Sequence, residues 1–194
     1  MRIFYAAFLG AETSRHFAEL VDEVALRLPG VLRPIPAGSV HLTLAFLGEV
    51  GAEDVDRCEE VLSLDPAPAA VTMSLATPRV LYGRGSPRLV LTDVGRGARE
   101  IASIQRGLCS RLRERFPRQD VKPNPPHATL ARFAKGQRRE VGRHVEEALG
   151  RAAAGGTLAE QTVAEISLVK STLTPSGPIY EVLKSGPLSP AAAE

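Results

Sequence analysis

The sequence predicts a fold of strands and helices built as two similar lobes around an approximate two-fold axis. The order strand–helix–strand–helix occurs twice along the 194 residues. In addition, "SVHLTLAFLG" at 39–48 has a near-copy in "PPHATLARFA" at 125–134, about half the chain away. Two copies at so long a period favour an internal duplication over a solenoid, which needs more and shorter repeats.

Length and composition indicate a globular protein. The chain is 44% hydrophobic and 24% charged, which is typical of a folded domain. We expect a single domain over 1–188 and a frayed tail over 189–194. A net charge of +2 excludes a protein coated with cations for nucleic-acid binding but allows a local basic groove. No apolar run reaches the ~20 residues of a membrane span, so we expect a cytoplasmic protein without a membrane partner.

Turn residues divide the first half of the chain. Apolar and aromatic runs predict strands, and apolar residues at helical spacing predict helices. Gly10, Pro29, Gly30 and Gly48 lie between these segments and act as stop signals. The predicted elements are a strand over 2–9, a helix over 13–28, a strand over 40–47 and a helix over 52–64.

The second half begins with a predicted hairpin and then repeats the same order. Residues 83–87 contain two glycines and a proline, a turn signal between two strand-like runs. A second such signal, "TLTPSGP", lies near the end of the chain. The predicted elements are strands over 70–83 and 87–95, a helix over 97–116, a strand over 127–133, a helix over 136–152, and strands over 162–171 and 179–186.

The cysteines and two of the four histidines are expected to be structural. Cys58 and Cys109 lie in helix-like stretches without a CxxC pair or a Cys/His cluster, so we expect free, buried thiols and no zinc site. His16 and His144 lie on polar stretches of predicted helices. We expect both to be solvated.

The repeated segments each carry His-x-Thr in a strand-like run. Residues i and i+2 of a strand point to the same face, about 6.6 Å apart. His41 therefore shares a face with Thr43, and His127 shares a face with Thr129. One His-x-Thr alone is uninformative, because both residue types are common on half-exposed strands. A duplicated structural strand would keep its apolar face and let the polar face change, so two retained copies favour function.

Two histidines facing each other across a gap suit phosphoryl transfer. A neutral imidazole can take a proton from water while a protonated one gives a proton to the leaving oxygen, each role contributing ~10² to 10⁴ in rate. In-line displacement puts the attacking and leaving oxygens on opposite sides of phosphorus, which explains the need for two separate strands. The threonine hydroxyls can donate to the non-bridging oxygens.

Two further residues occupy equivalent places in the two segments. Arg132 lies five residues after His127, so an ideal strand points it to the opposite face, unless a bulge returns it to the site to hold phosphate. A solvated strand end is the alternative. Phe46 holds the equivalent place in the first segment; we expect a core residue there, and a platform for a nucleobase is the alternative.

These residues resemble the paired His-x-Thr signature of the two-histidine (2H) phosphoesterase superfamily. The opening "MRIFYAAFL", the segments "HLTLAFLGEV" and "PPHATLAR" and the ending "STLTPSGPIYEVL" resemble its RNA 2',3'-cyclic phosphodiesterase branch, whose members are also named 2'-5' RNA ligases. The resemblance covers nearly the whole chain. It departs from the family at Ala128, where a larger aliphatic residue is usual, and in the absence of tryptophan.

The resemblance implies a bilobal α+β fold in which two antiparallel β-sheets form a central cleft and helices pack outside. It implies metal-free hydrolysis of 2',3'-cyclic phosphate ends of RNA to a 2'-phosphate, without a cofactor. We expect a monomer. The family pattern assigns the catalytic roles to His41 as proton donor and His127 as base, and phosphate binding to Thr43, Thr129 and Arg132.

Three alternatives stay open at this stage. The enzyme could act on a small cyclic or oligonucleotide phosphate, which the net charge does not distinguish from RNA ends. The chain could be a non-catalytic RNA-binding module, although no basic and aromatic stripe of the kind that single-strand binders use is visible. A metal site built on His41 and His127 is disfavoured, because neither motif strand carries a carboxylate.

Overall fold

A computed structural model describes residues 1–63, 67–153, 159–174 and 177–190 of the chain. The helices in these ranges are α1 Ala11–Arg27, α2 Val55–Glu60, α3 Ala98–Arg115 and α4 Arg139–Ala153. The strands are β1 Arg2–Phe8, β2 Leu32–Pro34, β3 His41–Glu49, β4 Val71–Ser74, β5 Arg79–Gly83, β6 Ser86–Asp93, β7 His127–Phe133, β8 Glu160–Val163, β9 Glu165–Thr174 and β10 Gly177–Pro187.

The strands form two antiparallel sheets, as expected for an α+β fold. The large sheet has the order β10-β9-β1-β3-β7-β6-β5, with β2 paired beside β7. The small sheet contains β4 and β8. At the centre of the large sheet, β3 and β7 share the single register pair Leu42–Ala128. The two lobes are thus the two sides of one sheet that narrows to this junction.

The predicted duplication is visible in the order and pairing of the elements. The series β1-α1-β3-α2-β4-β5 corresponds to β6-α3-β7-α4-β8-β9. The last strand of each series pairs with the first strand of the other, because β5 joins β6 and β9 joins β1. The equivalent strands β4 and β8 pair with each other. Each lobe therefore needs strands from both halves, and β2 and β10 stand outside the two corresponding series.

Three predicted elements differ from the structure. The predicted strand over 70–83 is two strands in different sheets, β4 and β5, separated at Pro78, which lacks the amide hydrogen that a continuous ladder needs. The predicted strand over 162–171 is likewise divided between β8 and β9. The predicted helix over 52–64 is confined to α2 and a preceding 3₁₀ turn.

The remaining sequence expectations concern the thiols and the chain end. Cys58 and Cys109 are free and buried, as predicted. No helix within the described ranges is long and apolar enough to cross a bilayer. Ser189, expected in the frayed tail, donates its backbone N–H to the Pro68 carbonyl and accepts from the Ala70 N–H. The rest of that expectation falls largely on 191–194, which lie outside the described residues.

Candidate active site

The two His-x-Thr motifs lie at the junction of the lobes. His41 is the first residue of β3 and His127 is the first residue of β7, and each directly precedes a member of the Leu42–Ala128 pair. Both members of the pair are fully buried, so the alternating histidines point to the opposite face. An antiparallel register through this pair sets His41 level with Thr129, and Thr43 level with His127. All four side chains line the same cavity.

A β-bulge follows each motif at the same place. Between β1 and β3 the register passes from Ala6–Thr43 to Tyr5–Ala45, and Leu44 is the extra residue. Between β6 and β7 the register shifts in the same way, so that Leu130 is the extra residue. The burial patterns of the two motif strands are the same over their first seven residues, with two consecutive buried residues at the bulge.

The bulges reverse which face the later residues occupy. Because of the extra residue, Arg132 and its counterpart Phe46 return to the face that carries the histidines. Arg132 is exposed and lies in the same cavity as both motifs, which is the orientation that a bulge was expected to give. Phe46 also lines this cavity and is 37% exposed. The expectation that Phe46 belongs to the core is therefore wrong.

The motifs share one cavity of about 400 Å³. It is lined by His41, Thr43, His127, Thr129 and Arg132, and by residues of β1, β9 and β10 that include Arg2, Phe4, Ser171 and Tyr180. None of the described residues that line it is acidic. Two cationic side chains, two imidazoles and four hydroxyl groups therefore line a space that suits an anion.

Both imidazoles are held in the same way. The Nδ1 atom of His41 lies 2.7 Å from the carbonyl oxygen of Ser39, and Nδ1 of His127 lies 2.7 Å from the carbonyl oxygen of Pro125. A carbonyl oxygen can only accept, so Nδ1 of each ring carries a hydrogen and donates it. This leaves Nε2 of each histidine to exchange a proton with a ligand.

The surroundings of the two histidines differ. The ring of His41 has its centroid 5.1 Å from that of Phe4, 5.5 Å from that of Phe8 and 5.2 Å from that of Tyr180. Burial lowers the pKa of His41 below its ordinary value; the hydrogen bond to Ser39 opposes this, and the positive charge of Arg132 adds to the lowering. In the free protein, His41 therefore favours the neutral form at neutral pH.

A salt bridge takes the place of one aromatic ring beside His127. Phe8 is the neighbour of His41 on the adjacent strand, and Asp93 is the corresponding neighbour of His127. The Asp93 carboxylate accepts two hydrogen bonds from Arg79. The hydrogen bond that holds His127 is exposed, whereas the one that holds His41 is partly buried. The two halves thus repeat the motif but not its setting.

Sequence reasoning missed the cavity residues that lie outside the motifs. Arg2 lies over the ring of Phe46, with its Cζ 5.1 Å from the ring centroid. Tyr180 comes from β10, which the duplication does not supply. The strand alternation of Arg2 and Phe4 was the available signal, but nothing in the sequence indicated which sheet face was concave. His16 and His144 are exposed and away from this cavity, as predicted.

A larger cavity lies elsewhere in the molecule. It has a volume of about 510 Å³ and lies between α3 and the chain segment that leads into β4. No histidine or cysteine lines it, so the site assignment follows the chemistry of the side chains and not cavity size. Within the described ranges, no three His, Cys, Asp or Glu side chains are grouped so that they could hold a metal ion.

Comparison with known proteins gives relatives over nearly the whole chain. The family model of LigT-like phosphoesterases matches residues 94–180. The chain is 30% identical to the RNA 2',3'-cyclic phosphodiesterase of Archaeoglobus fulgidus over 91% of this chain and 97% of the relative. It is 31% identical to the RNA 2',3'-cyclic phosphodiesterase of Thermus thermophilus over 95% and 88% of the two chains.

Solved structures share the fold. A protein of Thermus thermophilus superposes with a TM-score of 0.73 at 30% identity, covering 97% of this chain and 98% of the other. Escherichia coli LigT complexed with 3'-AMP has a TM-score of 0.69 at 25% identity, covering 96% and 97%. With these relatives and the paired motifs together, the chain belongs to the LigT-like phosphoesterase family of the two-histidine phosphoesterase superfamily and is an enzyme of that family.

Proposed function

We propose that this enzyme hydrolyses 2',3'-cyclic phosphate ends of RNA to 2'-phosphate ends by paired-histidine catalysis without a metal. The observation that carries the proposal is the equivalent placement of His41 and His127, each fixed through Nδ1 with Nε2 left for proton exchange in one cavity. The curated relatives from Archaeoglobus fulgidus and Thermus thermophilus carry the name of this activity. E. coli LigT binds 3'-AMP, which agrees with a nucleotide ligand.

In the proposed reaction, His127 takes a proton from water as the water oxygen bonds to phosphorus. The bond from phosphorus to the 3'-oxygen breaks, and His41 gives its proton to that oxygen. The product carries a 2'-phosphate and a 3'-hydroxyl. The anionic phosphate beside His41 raises the pKa of this imidazole in the complex, which opposes the lowering seen in the free protein and favours the protonated donor.

In this proposal the two threonines and Arg132 hold the phosphate. Thr43 and Thr129 lie level with the histidine of the opposite motif, where their hydroxyls can donate to the non-bridging oxygens as charge develops there. Arg132, brought back by the bulge, offers a planar pair of N–H donors that matches two phosphate oxygens. The catalytic unit spans 1–188, since each half contributes one histidine and one threonine.

Ligation is the same chemistry run in reverse, with the acid and base roles exchanged between the histidines. We propose it as a secondary activity at high concentrations of RNA ends. The alternative substrate is a small cyclic or oligonucleotide phosphate, which the cavity of about 400 Å³ also accommodates. A non-catalytic RNA-binding module has less support, because binding requires neither histidine. We further propose a monomer that acts in the cytoplasm.

The test is hydrolysis of a 2',3'-cyclic nucleotide and of a short RNA with a cyclic end, in EDTA. The proteins compared are wild type, His41→Ala, His127→Ala and the exposed control His144→Ala. We expect turnover to a 2'-phosphate in EDTA, a loss of ~10² or more in each motif variant, and no loss in His144→Ala. Loss of activity in EDTA, or full activity in either motif variant, would overturn the mechanism.

A further inference from the structure

A second cavity adjoins the active site on the side of β5 and β6. It has a volume of about 690 Å³, and Arg132 lines both this cavity and the one that holds the histidines. Within the described ranges, its other charged residues are Arg88 and Lys135, both exposed, and no acidic residue lines it. We call these two residues and Arg132 the basic wing. The basic wing continues directly from the proposed phosphate site.

The cations that line this second cavity form no ion pair among the described residues, unlike Arg79 on β5, which pairs with Asp93. Three of the four lysines form ion pairs, with Asp120, Glu181 and Glu59 as their partners. By contrast, Lys135, Arg88 and Arg132 form no ion pair within the described ranges. A protein with 24 basic and 22 acidic residues has enough carboxylates to pair them. Leaving these charges together and unpaired favours an anionic ligand.

The strand pairing places a fourth positive charge beside the basic wing. Arg33 on β2 is the direct cross-strand partner of Arg132 on β7. Both side chains are exposed, and like charges directly opposite each other destabilise a sheet. An anion between the two arginines would remove that repulsion.

The sheet also makes room for Arg88. The residue is the extra one at a bulge between β5 and β6, where the register passes from Leu81–Leu89 to Tyr82–Pro87. Its side chain lies across Gly83, and a Cβ at that glycine would come within 3.0 Å of the Arg88 Cγ. The glycine therefore lets the arginine lie along the sheet surface and face the cavity.

The opposite side of the active site has a different character. There Leu173, Pro178 and Tyr180 line the cavity, and Leu173 is 64% exposed. The nearby cation Lys170 is paired with Glu181 at 2.8 Å. An apolar and aromatic wall can stack a nucleobase, but it offers nothing to a chain of phosphates. On that side Arg2 lies over the ring of Phe46. Among the described residues that line the two cavities, the unpaired cations are therefore concentrated on the basic wing.

We propose that the basic wing binds the phosphodiester backbone of RNA immediately upstream of the terminal cyclic phosphate. This inference rests on the proposed function, and it names the substrate class as an RNA chain end in preference to a free cyclic nucleotide. Arg88 and Lys135 contact upstream phosphates, while Arg132 links them to the reacting one. Such contacts give affinity without base specificity.

The test compares two substrates with the same terminal base, uridine 2',3'-cyclic phosphate and a hexanucleotide ending in that group. The test variant is Arg88→Ala/Lys135→Ala. The matched control is Arg15→Ala/Arg106→Ala, which removes two exposed charges from α1 and α3 away from both cavities. Binding of the fluorescein-labelled hexanucleotide is measured by anisotropy alongside kcat/KM, each over a range of salt concentrations.

We expect the test variant to lose roughly tenfold in kcat/KM and in affinity for the hexanucleotide and less than about twofold in kcat/KM for the mononucleotide. The salt dependence of hexanucleotide binding should become shallower by about 0.7 in log–log slope for each phosphate that the variant no longer neutralises. The control should behave as wild type toward both substrates.

Equal effects on the two substrates, or unchanged hexanucleotide binding in the test variant, would overturn the inference. Failure of the proposed function has a different signature, because wild type would then turn over neither substrate. The anisotropy measurement decides on the basic wing even in that case, since it needs no turnover.

Discussion

In the proposed mechanism, His41 and His127 carry the same motif but have two different chemical roles. Each is fixed by the same hydrogen bond from Nδ1 to the carbonyl two residues earlier, so the backbone does not distinguish them. Their neighbours do. Aromatic rings surround His41 and lower its pKa through desolvation, whereas Asp93 and Arg79 lie beside His127. In the proposed mechanism, the acid and base roles are therefore set by residues outside the motifs.

The first prediction concerns the pH dependence of kcat/KM, which reports the ionisation of the free enzyme. A proton donor must be protonated, so with His41 as the acid kcat/KM falls as pH rises through its lowered pKa. Phe8→Ala admits water to the imidazole, raises its pKa and should move this descending limb to higher pH. NMR titration of the His41 ring in both proteins provides a direct check.

Two other outcomes of the Phe8→Ala experiment would change the assigned roles or contradict the argument. An ascending limb that moves with Phe8→Ala would assign the base role to His41 and the acid role to His127. A pH profile and a His41 titration that are the same in both proteins would contradict the desolvation argument.

The second prediction separates the threonine hydroxyls from the shape of their side chains. Thr43→Val and Thr129→Val keep the branched shape but remove the donor, so we expect kcat/KM to fall about 10²-fold in each. Thr43→Ser and Thr129→Ser keep the donor and should stay within about tenfold of wild type. Valine variants with wild-type activity would show that the threonines are only structural.

At the scale of the elements, the bulge in β3 is supported from outside its own half. Gln105 lies on α3, is 1% exposed and donates from Nε2 to the carbonyl of Thr43 at 3.0 Å. Its Oε1 has no partner among the described residues. The hydrogen bond to the motif strand, where the ladder is interrupted by the extra residue Leu44, is thus the polar contact that fixes this buried amide.

The third prediction is that Gln105 positions Thr43 and His41. Gln105→Met keeps the length of the side chain but removes the buried donor to the carbonyl of Thr43, which costs about 1–3 kcal/mol. We expect kcat to fall about tenfold with KM little changed. The matched control is Gln119→Met, since Gln119 donates to the Glu49 carbonyl at the other end of β3. Equal activity of the two variants would contradict a positioning role.

The helices and strands also show which parts of the fold could be predicted from the sequence. Periodicity and turn residues located α1, α3, β3 and β7 closely, because each combines a regular apolar pattern with clear stop signals. The pattern could not divide 70–83 between two sheets, since β4 and β5 differ in their partners and not in their local propensity. That choice depends on tertiary pairing.

The candidate site was predictable to the extent that it repeats. The duplication places the same His-x-Thr motif in both halves, and this repetition identified His41, Thr43, His127 and Thr129. The place of Phe46 was misjudged, because a bulge changes the side-chain parity and leaves no mark in hydrophobic alternation. Tyr180 and Arg88 were not foreseen, since their part in the two cavities depends on strands that are distant in sequence.

At the scale of the whole molecule, the two halves of the chain meet at the proposed active site. Strands from both halves build each lobe, so neither half can fold the site alone. The motif strands touch through Leu42 and Ala128, both with 0% exposure. Beyond this pair, β3 no longer pairs with β7, and β2 pairs with the same edge of β7 instead. We therefore expect the small side chain of Ala128 to set how closely the two motifs approach.

The fourth prediction is that Ala128→Leu separates the motifs. The added carbons have no space in a filled core, so overpacking should cost about 1–3 kcal/mol. We expect β3 and β7 to move apart and kcat/KM to fall about tenfold or more, because the histidines must span one phosphate.

Ala148→Leu, at a buried position on α4, is the control for overpacking away from the junction. Thermal denaturation should show a similar loss of stability in both variants, and kinetics should show the loss of activity only in the first. Wild-type kcat/KM in a destabilised Ala128→Leu would mean that the spacing of the motifs is set elsewhere in the sheet.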